Sequence, residues 1–121
     1  MLVATGKSLY QFFYEKELSK CSKETSMGRV YETNYLYIKT SGLWVYYSYI
    51  VGRKKYSGRS NLGLIYTEDF KNVLIGKEFP VTYCITEPEI SSILIVPENF
   101  VNYGYDFTDT LNWVLTYRRN K

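Results

Sequence analysis

Histidine is absent from this 121-residue chain, cysteine occurs twice and proline three times. Without imidazole there is no His-dependent catalytic triad, no His-ligated zinc and no imidazole pH switch. Cys21 and Cys84 fall in different expected elements and match no zinc or redox spacing. Free thiols are the expectation for them, with a single disulfide as the alternative. A long apolar run is missing too. The longest uncharged stretch, Thr40 to Gly52, has 13 residues, short of the roughly 20 needed to cross a bilayer. The opening M-L-V-A-T-G is too short for a signal-peptide core. The sequence L-S-K-C at Cys21 puts Lys20 where a lipoprotein cleavage site needs a small residue, so lipidation is not expected.

Tyrosine, by contrast, is abundant, with 14 residues concentrated between Tyr31 and Tyr83. Each combines a large apolar ring with a hydroxyl that seeks a partner, which suits a sheet with one dry and one amphipathic face. Hydrophobic residues at 45% and charged residues at 22% fit one ordinary globular domain spanning residues 1–121. Net charge is +3 and unevenly spread. Residues 1–60 hold ten Lys/Arg and four Asp/Glu, a balance of +6; residues 61–121 hold five and eight, a balance of −3. Such asymmetry can steer an acidic partner or pair the two halves of one fold. It falls short of the basic balance of a dedicated nucleic-acid binder.

The chain divides into an N-terminal helix (residues 1–24), a β core (25–95) and a C-terminal helical segment (97–121). Ser8 to Lys23 reads as an amphipathic helix, with Leu9, Phe12, Phe13 and Leu18 on one stripe. Thr25 to Lys39 reads as a long strand. Tyr31, Thr33, Tyr35 and Tyr37 fall on one face of it, and Val30, Leu36 and Ile38 on the other. Leu43 to Val51 and Lys54 to Ser60 form a hairpin across a Gly52-Arg53 turn. Thr67-Glu68-Asp69 can cap a short helix ending at Gly76. Phe79 to Ile85 and Ser91 to Val96 are strands around an E-P-E-I turn. Pro97 to Tyr103 allows one helical turn. Asp106 and Asp109 introduce a last amphipathic helix carrying Leu111, Trp113, Val114 and Leu115 and ending at Arg118-Arg119. The expected fold is α+β and β-dominated, a small antiparallel sheet or partial barrel with a helix at each end.

The order of blocks resembles a widespread uncharacterised bacterial family of small extramembrane β-domains. Its pattern of G-x-V, then Y-x-V-x-G-x-x-Y-x-G, then G-x-x-x-x-V-x-Y-x-x-x-x-P-x-x-S falls here on three groups. They are Gly28 and Val30; Tyr49, Val51, Gly52, Tyr56 and Gly58; and Gly76, Val81, Tyr83, Pro88 and Ser91. The resemblance covers roughly residues 24–95 and rests on structural glycines and strand residues. It implies a membrane-proximal setting, because such members usually follow a transmembrane helix, and it implies no catalytic residues. This chain lacks that helix. It is then either a soluble, cytoplasmic form or one whose M-L-V-A-T-G is the stub of a removed anchor, which would make it membrane-associated.

Arg53, Lys54, Lys55 and Arg59 form the sharpest charge cluster, beside Tyr56. Basic side chains next to aromatics suit a single-strand nucleic-acid platform, but they also solubilise a hairpin tip and discourage edge pairing. Arg53, Lys54, Lys55, Tyr56, Arg59, Trp44 and Tyr47 are the candidate partner-binding residues, since Trp, Tyr and Arg dominate interface hot spots. Glu87 and Glu89 flank Pro88 without a base or nucleophile nearby, so no catalytic residue, metal site or cofactor is expected. The leading expectation is a non-enzymatic protein-interaction or assembly domain with a protein partner and scope for homo-oligomers. The alternative is an immunity-type protein that blocks a toxin by surface binding. An oligonucleotide binder on a small barrel ranks third.

Overall fold

The computed structural model describes residues 17–36, 42–64 and 66–118. Five strands form one antiparallel sheet: β1 (Lys23–Leu36), β2 (Gly42–Val51), β3 (Lys54–Asn61), β4 (Glu78–Cys84) and β5 (Ser91–Ile93), in spatial order β3-β2-β1-β4-β5. β1 is long enough to pair with β2 on one side and β4 on the other, so that Gly28 faces both Tyr49 and Phe79. The sheet curls until β3 approaches β5, and the Tyr47 hydroxyl comes 2.9 Å from Ser91 Oγ. The result is β-dominated α+β, a partial barrel. Helix α1 (Phe70–Leu74) joins β3 to β4 and packs on β1, α2 (Pro97–Asn102) follows β5, and a 3₁₀ helix (Asp109–Tyr117) comes last. Among the described residues no helix is long and apolar enough to cross a membrane.

Alternation explains the core. In β2, Leu43, Val45, Tyr47 and Tyr49 point inward and are buried. They meet Val30 and Tyr35 of β1, Phe79, Val81 and Tyr83 of β4, and Phe70, Leu74, Phe100, Leu111 and Val114 from the helical segments. Rings stack where α1 meets the 3₁₀ helix, with Phe70 centred 5.1 Å from Tyr117 and 5.2 Å from Tyr66. Burial of this apolar surface is the main stabilising term.

Several elements differ from expectation, and β5 ends at Ile93 rather than Val96. Simple alternation sets Val30 and Tyr35 on opposite faces of β1, yet both are buried in the same core. The register shifts between Val30 and Glu32, and one extra residue in a bulge reverses the alternation beyond it. Tyr31 is left 52% exposed, while Tyr37 and Ile38 lie outside the described residues.

The N-terminal helix does not reach Lys23. Residues 17–20 are helical, and β1 already begins at Lys23 because its amide ladder pairs Lys23 with Cys84. The start of that helix, with Ser8, Leu9, Phe12 and Phe13, lies outside the described residues, as does M-L-V-A-T-G.

Cys21 and Cys84 are joined in a disulfide rather than free, because that same pairing brings their Cα atoms to 5.6 Å. The last helix is 3₁₀ over Asp109–Tyr117, capped by Thr108 rather than by an aspartate. Leu111 and Val114, three residues apart, supply its buried contacts, as a three-residue turn requires, and Leu115 is exposed.

Candidate interaction surface

The turn fixes the faces. Gly52 adopts φ 64° at the first position of the two-residue loop between Val51 and Lys54, a conformation that primed hairpin turns need and glycine supplies. From there the register pairs Ile50 with Lys55, Ser48 with Ser57, Tyr46 with Arg59 and Trp44 with Asn61. These pairs share the outer face of the sheet, opposite the core. On β1, Arg29 pairs with Ser48, and Met27, two residues before Arg29, shares its face.

Two large apolar side chains therefore stand beside each other in solvent. Met27 is 57% exposed and Ile50 58%. They line a shallow depression of about 320 Å³ with Arg29, Ser48, Lys55 and Glu78. Arg29 donates to Glu78 at 3.0 Å and to the Gly76 carbonyl at 3.1 Å. Both partners of this ion pair are more than half exposed, so it positions the guanidinium more than it stabilises the fold. The Ser26 hydroxyl donates to the Ile50 carbonyl at 2.8 Å, fixing the backbone under the apolar pair.

The basic hairpin cluster is divided by the strand's own alternation. Lys55 and Arg59 lie on the outer face, Arg59 with its guanidinium 5.4 Å from the Trp44 ring centre. Trp44 is 4% exposed beneath it, so the indole is a packed aromatic and offers no open ring. Lys54 projects to the other side, with Nζ 5.3 Å from the Tyr56 ring. Tyr56 is half-buried and stacks on Tyr49, 5.7 Å away. Arg53 occupies the exposed turn. Tyr47 is wholly buried in the core and cannot contribute to a surface.

Met27 and Ile50 were missed because a Met or Ile within a strand reads as core. The usable signal was parity. Ile50 is an even step from Ser48 and Tyr46, and a Gly52-Arg53 turn sets it opposite Lys55.

Elsewhere, polar groups serve the architecture. The Tyr83 hydroxyl donates to Glu24 at 3.2 Å, and its acidity is reduced first by burial and then by that carboxylate. Tyr66 sits under Arg118, which is ion-paired to Glu98. Burial, and secondarily Glu98, push the Tyr66 phenol up to about 12. Glu87 and Glu89 are exposed on the turn before β5, and the Pro88 carbonyl between them accepts the Tyr49 hydroxyl. No group of three His, Cys, Asp or Glu that could hold a metal occurs among the described residues. Searches against family models, curated proteins and solved structures found no match.

Proposed function

We propose that the chain is a non-enzymatic protein-interaction or assembly domain that receives an acidic protein partner on the outer face of β1, β2 and β3. One observation carries this reading: Met27 and Ile50, both more than half exposed, share a depression edged by Arg29 and Lys55. Adjacent exposed apolar side chains rimmed by polar groups mark interaction sites. The sheet holds both strands rigidly, so little ordering entropy opposes docking. Lys55, Arg59 and the turn residue Arg53 give this face and its edge an excess of positive charge over Glu78 and Glu32. That excess favours an acidic partner and raises its encounter rate. A membrane-proximal setting, implied by the family resemblance, belongs to the same proposal.

The test is site-specific photo-crosslinking in cells from residue 50, with residue 85 as control. Ile85 is also exposed, at 45%, but lies beyond the end of β4. The expected result is a discrete acidic protein adduct from position 50 only, lost in Met27→Asp. Adducts of equal yield from both positions, or none, would remove the outer face from consideration. A cognate toxin as the captured partner would specify the immunity-type form of the same reading.

A further inference from the structure

The second cluster of buried side chains lies apart from the main core and contains Leu18, Cys84 and Ile90, with Cys21 and Tyr103 packed against them. It joins the end of β4 to the helical residues 17–20. β1 starts two residues after Cys21, its first residue Lys23 pairing with Cys84, and the Ile85 amide donates to the Ser22 carbonyl at 2.9 Å. The Lys23 ammonium reaches back to the carbonyls of Leu18 at 3.2 Å and Cys21 at 3.1 Å, where a cation suits a helix end. The fully buried Leu18 and the adjacent Cys21–Cys84 bond fix residues 17–20 to the barrel.

From this geometry we infer that the disulfide is structural, that it moors the N-terminal helical segment to β4, and that the domain acquires it in an oxidising compartment. Persistent disulfides of this kind form in secreted, periplasmic or luminal settings and are rare where thiols are kept reduced. The chemistry balances through thiol–disulfide exchange with a small-molecule or oxidoreductase disulfide. The Cys21 and Cys84 thiols give up two protons and two electrons, one S–S bond forms, and the donor disulfide is reduced to two thiols. Cys84 is 1% exposed, so a reducing thiolate must approach from the side of Cys21, a half-buried residue. Limited access of this kind slows exchange and marks a lasting bond rather than a rapid switch. The inference stands on the β1–β4 register and the satellite cluster, and is independent of the proposed docking face.

The experiment is to quench cells producing the full chain with acid, alkylate free thiols and count them by intact mass, then repeat on purified protein with and without reductant. No alkylation before reduction and two labels after it are expected. Reduction should lower the melting temperature by on the order of 10 °C and open a tryptic cut after Lys20. Cys21→Ser with Cys84→Ser should match the reduced parent, and if that variant does not fold, the reduced parent alone decides. Two labelled thiols in the quenched native cells would overturn the compartment assignment. Unchanged melting and proteolysis on reduction would overturn the mooring role.

Discussion

The Tyr47 hydroxyl lies 2.9 Å from Ser91 Oγ and joins β2 to β5 across the inside of the curled sheet. Gly58 of β3 sits against this contact. A Cβ there would fall 2.6 Å from the Tyr47 hydroxyl oxygen, 2.8 Å from Cζ and 3.1 Å from Ser91 Oγ. Tyr47 is wholly buried in the main core, so any shift of its ring presses on packed neighbours. Glycine at 58 is thus what lets β3 close over the pair.

Gly58→Ala should accordingly destabilise the domain by about 1–3 kcal/mol, the usual cost of overpacking a filled core. Tyr47→Phe should cost about 1–2 kcal/mol by leaving the buried Ser91 hydroxyl without this partner. Urea midpoints at constant m-value measure both. An alanine variant as stable as the parent would mean that β3 is free to shift outward.

At the hairpin the relevant variable is backbone conformation. Gly52 has φ 64° and open space around its Cα, so Gly52→Val suffers no clash and should still lose about 1 kcal/mol or more. A β-branched residue fits the left-handed region poorly. Equal melting temperatures for variant and parent would contradict this.

The legibility of the chain follows from where the controlling physics is local. Gly52 between two β-branched and aromatic runs defines a turn from neighbouring residues alone, so the hairpin register could be read from sequence. A short helix before Gly76 was expected and is present, but its Asp69 N-cap makes no side-chain capping bond. The bulge at Val30–Glu32 was not legible, because β1 must satisfy partners on both edges and the extra residue is dictated by β2. The Cys21–Cys84 bond was hidden by the same dependence, since only the β1–β4 register brings the two sulfurs together. At the candidate surface, Arg59 and Lys55 stood out as charges. Met27 and Ile50 did not, because exposure of an apolar strand residue depends on which face the core claims. Tyr47, chosen for composition, belongs to that core.

Alkaline pH should act through Tyr66. Burial first, and then the Glu98 carboxylate, raise its phenol from 10.0 to about 12, with Arg118 opposing. The folded state therefore holds the proton more tightly than the unfolded chain. Stability from this source is complete below pH 10 and falls as pH rises toward 12, by on the order of 2 kcal/mol across that window. Denaturation midpoints of the parent and Tyr66→Phe should be compared from pH 9 to 11.5. A shallower alkaline decline in the phenylalanine variant is expected, since other tyrosines and lysines titrate equally in both. Identical slopes would show that the Tyr66 phenol ionises normally in the folded protein.

Protein docking and nucleic-acid binding make different demands on the outer face. Small, partly open five-stranded barrels can bind oligonucleotides through strands 2 and 3, and such binding needs aromatic faces open for stacking. Here Trp44 is buried, 4% exposed, with the Arg59 guanidinium 5.4 Å from its ring centre. Arg59→Ala should cost about 0.5–1 kcal/mol of cation–π attraction, read as a lower urea midpoint. Single-stranded oligonucleotides should bind the parent weakly through Arg53, Lys55 and Arg59, and that binding should vanish by physiological salt, as expected of simple phosphate contacts. Ile50→Asp should cost no more than about 1 kcal/mol, the span of strand propensities, because the side chain is more than half exposed, while abolishing capture of the protein partner. Sub-micromolar oligonucleotide affinity at physiological salt, weakened by Trp44→Ala and indifferent to Ile50→Asp, would replace the protein-interaction reading with the nucleic-acid one.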